Sequence, residues 1–238
     1  MRRSRRRGVP VKGLARRAGI NAQMAETRAR AGRYSRDQSE YDRALAFVDA
    51  TFAFAMTLLV TTLEVGDPTV SFTSVSALGD AVGDQFIAFL ISFAVIAGYW
   101  LLNHRMVARF AAIDTPTIIA NICLLAGIVL IPFSTAAVGD PEVADLPLPT
   151  ALMAVNIALV SVLHTVVWVL ANRNGLLEPA VKPIEWRQTV AMGLLPAAVF
   201  LASIPLAYAF SPDAARLFWL SLAVLNPVAG NLMAGRRE

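Results

Sequence analysis

The sequence has 238 residues, of which 56% are hydrophobic and only 16% are charged. A soluble domain usually carries about 25% charged residues, so the composition excludes an ordinary soluble protein. The apolar runs are continuous for about 20 residues, the length of a membrane-spanning helix, and lack the two-residue alternation of a transmembrane β-barrel. We therefore predict an all-α integral membrane protein.

The first part of the chain is strongly basic. Residues 1–43 contain 13 of the 21 lysine and arginine residues, and residues 1–36 have no sustained apolar period. A basic segment beside a membrane typically sets the orientation of the protein and contacts anionic lipid. We favour this interpretation over nucleic-acid binding, and we predict that residues 1–36 form a disordered cytoplasmic arm.

Residues 37–238 are predicted to form one unit of six membrane-spanning helices. Each span is an apolar run, and polar loops separate the runs. The first loop, residues 66–84, contains three aspartates and no lysine or arginine. The predicted spans cover about 43–65, 84–102, 116–138, 150–171, 188–209 and 214–233.

Local signals mark the ends of the later spans. Thr115 followed by Pro116 predicts a capped start of the third span, because proline suits the first turn of a helix. Pro196 and Pro205 predict bends in the fifth span. The turn Ser211-Pro212-Asp213 has the residues of a helix cap and predicts the start of the sixth span.

The distribution of positive charge predicts the topology. The arm, the second and fourth loops and the C-terminal residues contain 20 of the 21 lysine and arginine residues, and Arg216 alone lies on the other side. By the positive-inside rule, both termini are then cytoplasmic. An even number of spans is required for that arrangement, which agrees with six.

Several absent patterns exclude whole classes of protein. The sequence has no Thr-Val-Gly-Tyr-Gly filter, no regularly spaced arginines within a span and no phosphate-binding Walker loop. It has only two histidines and no Ser/His/Asp set. We therefore expect neither an enzyme nor a bound metal or cofactor, and a potassium channel with a carbonyl filter is excluded.

Three polar patterns remain in the first three spans. They are Arg43-x-x-x-Phe47-x-Asp49 at the start of the first, Trp100-x-x-Asn103-His104-Arg105 at the end of the second, and Asn121 followed by Pro132-Phe133 in the third. Together they resemble the transmembrane protein 175 family, the lysosomal and bacterial potassium channels built from six-helix units. The fourth to sixth spans match that family only in number and hydrophobicity. Val48 stands where the family signature has serine.

The first pattern places a charge inside an apolar span. A carboxylate in hydrocarbon is costly, so Asp49 is expected to have a partner. Trp100 and His104 are four residues apart, share a helix face and carry N–H groups that need acceptors. We predict that Asp49 accepts a hydrogen bond from Trp100 or His104, with Asn121 nearby, in a polar clasp that joins the first three spans. Arg43 and Asp49 differ by about 120° around the helix and need not pair.

Span one also has an apolar face formed by Phe47, Thr51, Phe54, Leu58 and Thr61. Such a face is more typical of helix packing. The resemblance instead implies that Phe54, Leu58 and Thr61 form a hydrophobic pore constriction, in a homotetramer with one copy of span one per subunit around the axis. Phe54 stands where the family commonly has isoleucine.

The resemblance implies a potassium-preferring cation channel, with potassium as the permeant ion. A non-conducting relative with a sealed pore and a proton-coupled transporter of small solutes are the alternatives. The basic arm favours a multi-pass protein of the bacterial plasma membrane.

Overall fold

The computed structural model describes residues 32–178, 186–222 and 225. The prediction of a disordered arm therefore lies mostly outside the described residues, as do both termini and half of the predicted sixth span. In the described ranges the chain is mainly helical, with one short two-stranded ribbon. The elements are β1 (Arg33–Ser35), α1 (Ser39–Leu58), a 3₁₀ turn (Leu59–Thr62), α2 (Pro68–Ser71), α3 (Val75–Val107), β2 (Ala112–Asp114), α4 (Thr115–Val129), α5 (Ile131–Gly139), α6 (Pro147–Arg173), α7 (Trp186–Ala209) and α8 (Pro212–Trp219).

Five helical segments are long and apolar enough to cross a membrane. They correspond to the first five predicted spans, with α1 and the 3₁₀ turn forming span one, and α4 and α5 together forming span three. The predicted sixth span begins in α8, and residues 223–224 and 226–233 of it are not among those described.

Span two is much longer than predicted. Helix α3 begins at Val75 and contains 33 residues, so about half of the predicted loop 66–84 is helical. The Ser74 hydroxyl caps the helix by accepting the Ala77 amide at 3.0 Å, and no proline interrupts the chain after that point. At 1.5 Å per residue the helix is about 50 Å long, so its polar first part extends beyond a hydrocarbon layer of about 30 Å.

The residues before α3 form a capped turn between spans one and two. The Asp67 carboxylate accepts the hydroxyl and the amide of Thr69, at 2.8 and 2.9 Å. These two donors hold the pKa of Asp67 below its ordinary value. The turn contains the short helix α2, which ends at Ser71. The Ser71 hydroxyl donates to the Val65 carbonyl at 2.6 Å.

Span three is broken at Leu130. Pro132 has no N–H, so the carbonyl of Ile128 has no amide partner four residues later, and the chain restarts as α5. The start of α4 also differs from prediction: Asp114, and not Thr115, is the N-cap, and its carboxylate accepts the Thr117 amide at 3.0 Å. A carboxylate suits the N-terminal end of a helix through its charge.

Spans four and five pack closely. A side-chain carbon added to Gly193 in α7 would lie 2.4 Å from the Thr165 hydroxyl of α6, so only glycine permits this approach. Helix α7 is continuous through Pro196 and Pro205. Ser211 caps α8, as predicted, by accepting the Ala214 amide at 3.1 Å.

Arg216, the one basic residue predicted on the non-cytoplasmic side, is held in place by side-chain contacts. Its guanidinium donates to the Ala144 carbonyl at 2.6 Å and to the Thr150 hydroxyl at 3.2 Å. It also forms an ion pair with Asp213 at 3.1 Å. These contacts give this arginine a structural role at the start of α8.

The core consists of two clusters of buried side chains. The larger lies between the spans and contains large apolar residues from α1, α3, α4 and α6, among them Phe52, Leu59, Ile96, Leu124, Ile128 and Val160. The smaller lies where spans two and four end, and includes Tyr41, Val107, Phe110, Ile113, Trp168 and Leu176.

The last residues of the predicted arm are ordered, which places the start of the folded unit before residue 37. Strand β1 pairs antiparallel with β2, in the register Arg33↔Asp114 to Ser35↔Ala112. Arg36 donates to the Ala108 carbonyl at 3.0 Å and forms an ion pair with Glu178. Three-residue strands show no periodicity in the sequence, so the ribbon could not be predicted from it.

Candidate functional site along span one

A hydrogen bond joins spans one and two at the centre of the predicted clasp. The indole Nε1 of Trp100 donates to a carboxylate oxygen of Asp49 at 2.9 Å. His104 stacks on the Trp100 ring, with the two ring centroids 5.4 Å apart, as their spacing of one turn permits. The structure therefore brings Asp49 and Trp100 together, and places His104 behind the indole.

Asn121 contributes to a second contact and does not reach Asp49. Its side-chain oxygen accepts the amide of Asn103 at 3.3 Å, and its own amide donates to the Thr117 carbonyl at 3.2 Å. Both asparagines are almost fully buried, at 2% and 3% exposure. Spans two and three are thus joined by a pair of asparagines, and Asn103 is a residue whose role the sequence analysis missed. The position of Asn103 between Trp100 and His104 was the feature of the sequence that could have indicated this role.

Val48 occupies the position of the signature serine and is buried in the core of the unit. A serine here would need a hydrogen-bond partner, whereas valine needs none. The two asparagines supply a polar contact between spans two and three close by. The departure from the signature is therefore accommodated by apolar packing.

Arg43 and Phe47 lie on the exposed surface of α1. Among the residues that the structure describes, Arg43 forms no ion pair with Asp49 or with any other carboxylate. Phe47 is 58% exposed. Both residues line a crevice of about 360 Å³ between spans one and three.

A separate crevice of about 420 Å³ lies beside Asp49. Its walls include two carboxylates of span one and the polar end of span two. The polar and charged side chains that line it are Arg36, Tyr41, Asp42, Asp49, Asn103 and His104. In the described part of the chain, no three histidine, cysteine or carboxylate side chains lie close enough to hold a metal ion.

The predicted constriction residues lie on a face of span one that the subunit leaves largely uncovered. Phe54 is 58% exposed and Thr61 is exposed, while Leu58 is half-buried. The opposite face, with Phe52, Ala55 and Leu59, is fully buried. Span one is therefore two-sided: one side packs within the subunit, and the side with Phe54 is free to meet another helix or a pore.

The 3₁₀ turn changes how this face is presented. Residues three apart lie directly above one another in a 3₁₀ helix, so Leu58 and Thr61 align at the end of span one. The Thr61 hydroxyl donates to the Leu58 carbonyl at 2.7 Å. Because this hydroxyl donates its hydrogen bond within the helix, Leu58 and Thr61 together present a mainly apolar surface.

The chain is similar to known potassium channels. Residues 43–132 match the family of endosomal/lysosomal potassium channels TMEM175. A potassium channel of Chamaesiphon minutus is 36% identical over 106 residues, which cover 44% of this chain and only 52% of that protein. A potassium channel of Streptomyces collinus is 25% identical over 180 residues, covering 73% of this chain and 85% of that protein.

Two solved structures share the fold. The TMEM175 homologue from Chamaesiphon minutus, a lysosomal potassium-selective channel homologue, has a TM-score of 0.57 at 24% identity, covering 84% of this chain and 98% of that one. A variant of the potassium channel MtTMEM175 has a TM-score of 0.60 at 16% identity, covering 84% and 95%. The resemblance drawn from the first three spans is confirmed.

Proposed function

We propose that this multi-pass membrane protein is a potassium channel of the TMEM175 family, whose model matches residues 43–132. Its finer properties are part of the same proposal: a preference for potassium over other cations, and assembly as a homotetramer in a bacterial plasma membrane. The permeant ion is the only ligand invoked. The basic arm would contact anionic lipid at the cytoplasmic surface.

The observation that carries the proposal is the uncovered face of span one. In a membrane, an apolar helix face with Phe54 and Thr61 exposed meets either lipid or another helix, and the proposal places it at an axis between subunits. One helix cannot enclose a path for ions, whereas four copies around an axis can. In that assembly Phe54, Leu58 and Thr61 become successive rings, and a narrow apolar ring controls conduction through its width and its wetting.

The clasp has a positioning role in this account. The Trp100–Asp49 hydrogen bond and the Asn103–Asn121 pair lie on the sides of spans one to three that face one another within the subunit. The first contact fixes the rotation of span one, and so determines which of its residues face the axis, while the second holds spans two and three together. Arg43 and Phe47 lie at the cytoplasmic start of the same helix.

The bulk of Phe54 favours a second candidate, a relative whose pore is sealed. A phenylalanine ring is larger than the isoleucine common in the family, and four of them at one level would narrow the path further. The proton-coupled transporter, the other alternative, gains no specific support from the described residues.

Ion flux in liposomes separates these functions. The full chain is reconstituted, and flux is measured under separate gradients of potassium, sodium and protons. Potassium flux that exceeds sodium flux and needs no proton gradient supports the channel. Flux that depends strictly on a proton gradient supports the transporter, and silence with intact assembly supports the sealed relative.

A further inference from the structure

Two charged side chains begin the exposed face of span one. Glu40 and Arg43 are both exposed, and they are three residues apart on one helix, a spacing at which opposite charges often pair. They do not pair here: the ion pairs among the described residues are Arg36–Glu178 and Arg216–Asp213. The only side-chain contact described for Glu40 is a 3.3 Å hydrogen bond from the Ser39 hydroxyl.

The two charges lie on opposite sides of the direction in which Phe47 points. At 100° per residue, Glu40 is rotated about 20° to one side of Phe47 and Arg43 about 40° to the other. Phe54 lies within about 20° of the same direction. If this face is turned towards a pore axis, the carboxylate therefore leans towards one neighbouring helix and the guanidinium towards the other.

We propose that Arg43 of one subunit forms an ion pair with Glu40 of the next, at every interface around the cytoplasmic mouth of the pore. This inference rests on the proposed function, because it requires span one to surround an axis. Rotational symmetry makes the contact heterologous, since each subunit donates Arg43 on one side and receives the next Arg43 on the other. The occupant of the exposed face is thus a second copy of this chain.

The shape of span one on each side fits this arrangement. On the side of Arg43 the exposed residues are small, namely Ala46, Ala50, Ala53 and Thr57, and small residues allow helices in a membrane to approach closely. On the side of Glu40 lies the crevice of about 360 Å³ between spans one and three, which Glu40, Ile122 and Leu125 line and which this chain's own Arg43 borders as well. That crevice gives the long side chain of the next subunit's Arg43 room to reach Glu40.

The ion pair also bears on conduction. Four unpaired arginines at the cytoplasmic mouth would repel potassium from the path, because arginine and potassium are both positively charged. Pairing each one with a glutamate cancels this repulsion where the ions enter. Arg43 then contributes to assembly without imposing a barrier to cations.

Cysteine cross-linking between two different chains tests the contact. Cys123, the only native cysteine, is first replaced by alanine. One tagged chain carrying Glu40→Cys is then coexpressed with a second chain carrying Arg43→Cys, so that no link can form within one helix. The membranes are treated with a bismaleimide that matches the length of an Arg–Glu ion pair, because such a pair separates its Cα atoms by more than the roughly 7 Å that a disulfide spans.

A cross-linked dimer that contains both chains is expected on a denaturing gel, while each cysteine variant expressed alone stays largely monomeric there. If the mixed dimer is absent, or if either variant alone links as efficiently, the proposed pairing is wrong. An Arg43 that faces lipid headgroups would give the first of these outcomes.

A charge exchange supplies a second readout. Glu40→Arg and Arg43→Glu should each reduce the tetramer fraction in size-exclusion chromatography, and the double exchange should recover it. If the double-exchange variant folds but does not recover the tetramer fraction, the proposed pairing is wrong. Potassium flux of the unmodified chain is measured in parallel: a conducting protein without the mixed dimer overturns the ion pair alone, and a silent protein with the mixed dimer overturns the channel alone.

Discussion

Trp100 donates its indole N–H to the Asp49 carboxylate at 2.9 Å and thereby joins span two to span one. The neighbouring contacts of span one are apolar, through Phe52, Ala55 and Leu59. Apolar packing holds helices together but fixes their relative rotation weakly, whereas a single hydrogen bond between defined atoms fixes it well. The rotation of span one decides which residues face the proposed pore, so this contact couples the fold to the function.

Removal of the Trp100 donor should destabilise the protein. Trp100→Phe keeps an aromatic ring against His104 but leaves Asp49 without its partner. A hydrogen bond to a charged group contributes about 1.5–3 kcal/mol, and we expect the lower end because Asp49 is exposed. The free energy of unfolding in mixed micelles measures this loss. In a double-mutant cycle with Asp49→Ala, which removes the acceptor, the two effects should be strongly coupled, and additive effects would contradict the clasp.

The buried asparagine pair should respond differently to single and double replacement. Asn121→Leu alone leaves the Asn103 amide buried without an acceptor, at a cost of about 1–3 kcal/mol. Replacing both asparagines by leucine removes the unpaired group, so the double variant should be more stable than either single variant. Thermal unfolding, monitored by tryptophan fluorescence, ranks the three variants by stability. A double variant that loses the sum of the two single effects would show that the pair does not interact.

The close approach of spans four and five predicts opposite effects of two glycine substitutions. Gly193→Ala places a carbon 2.4 Å from the Thr165 hydroxyl and should cost about 1–3 kcal/mol through overpacking. Gly98→Ala in α3 meets no atom within 4 Å, and it should stabilise the helix by up to about 1 kcal/mol. Melting temperatures of the two variants compare them directly, and equal shifts would contradict the described packing.

The end of span one should show a sharp pattern of accessibility. Leu58 and Thr61 face the proposed pore, whereas their neighbour Leu59 is fully buried. In a Cys123→Ala background, a charged thiol reagent should therefore reduce potassium flux through Leu58→Cys and Thr61→Cys and leave Leu59→Cys unaffected. Equal modification at all three positions would remove the support for a pore at this face.

The sequence alone predicted the contact between Asp49 and Trp100, because an intramembrane carboxylate needs a donor and the spacing of Trp100 and His104 offered two. It did not predict that Asn103 would be the partner of Asn121. That choice depends on how spans two and three are rotated against each other, and hydropathy does not encode rotation. The lack of an Arg43–Asp49 pair followed from the angle between positions on one helix, which the sequence does contain.

Helix ends were predicted less well than spans, since hydropathy marks the membrane and not the helix. Helix α3 starts at Val75 because the Ser74 cap and the lack of proline allow a helix to continue in polar sequence. The break at Leu130 follows from Pro132, a signal that was visible but was interpreted only as part of a motif. Strand β1 was missed because three residues are too few to show a period.

The ring formed by Phe54 is the central claim, and potassium flux through Phe54→Ala tests it most directly. Phe93→Ala, which removes an exposed phenylalanine from span two, is the matched control in the same liposomes. We expect Phe54→Ala to raise potassium flux above that of the unmodified chain, with a smaller preference over sodium, and Phe93→Ala to leave both unchanged. A Phe54→Ala protein that assembles normally and shows unchanged rate and selectivity would contradict the account.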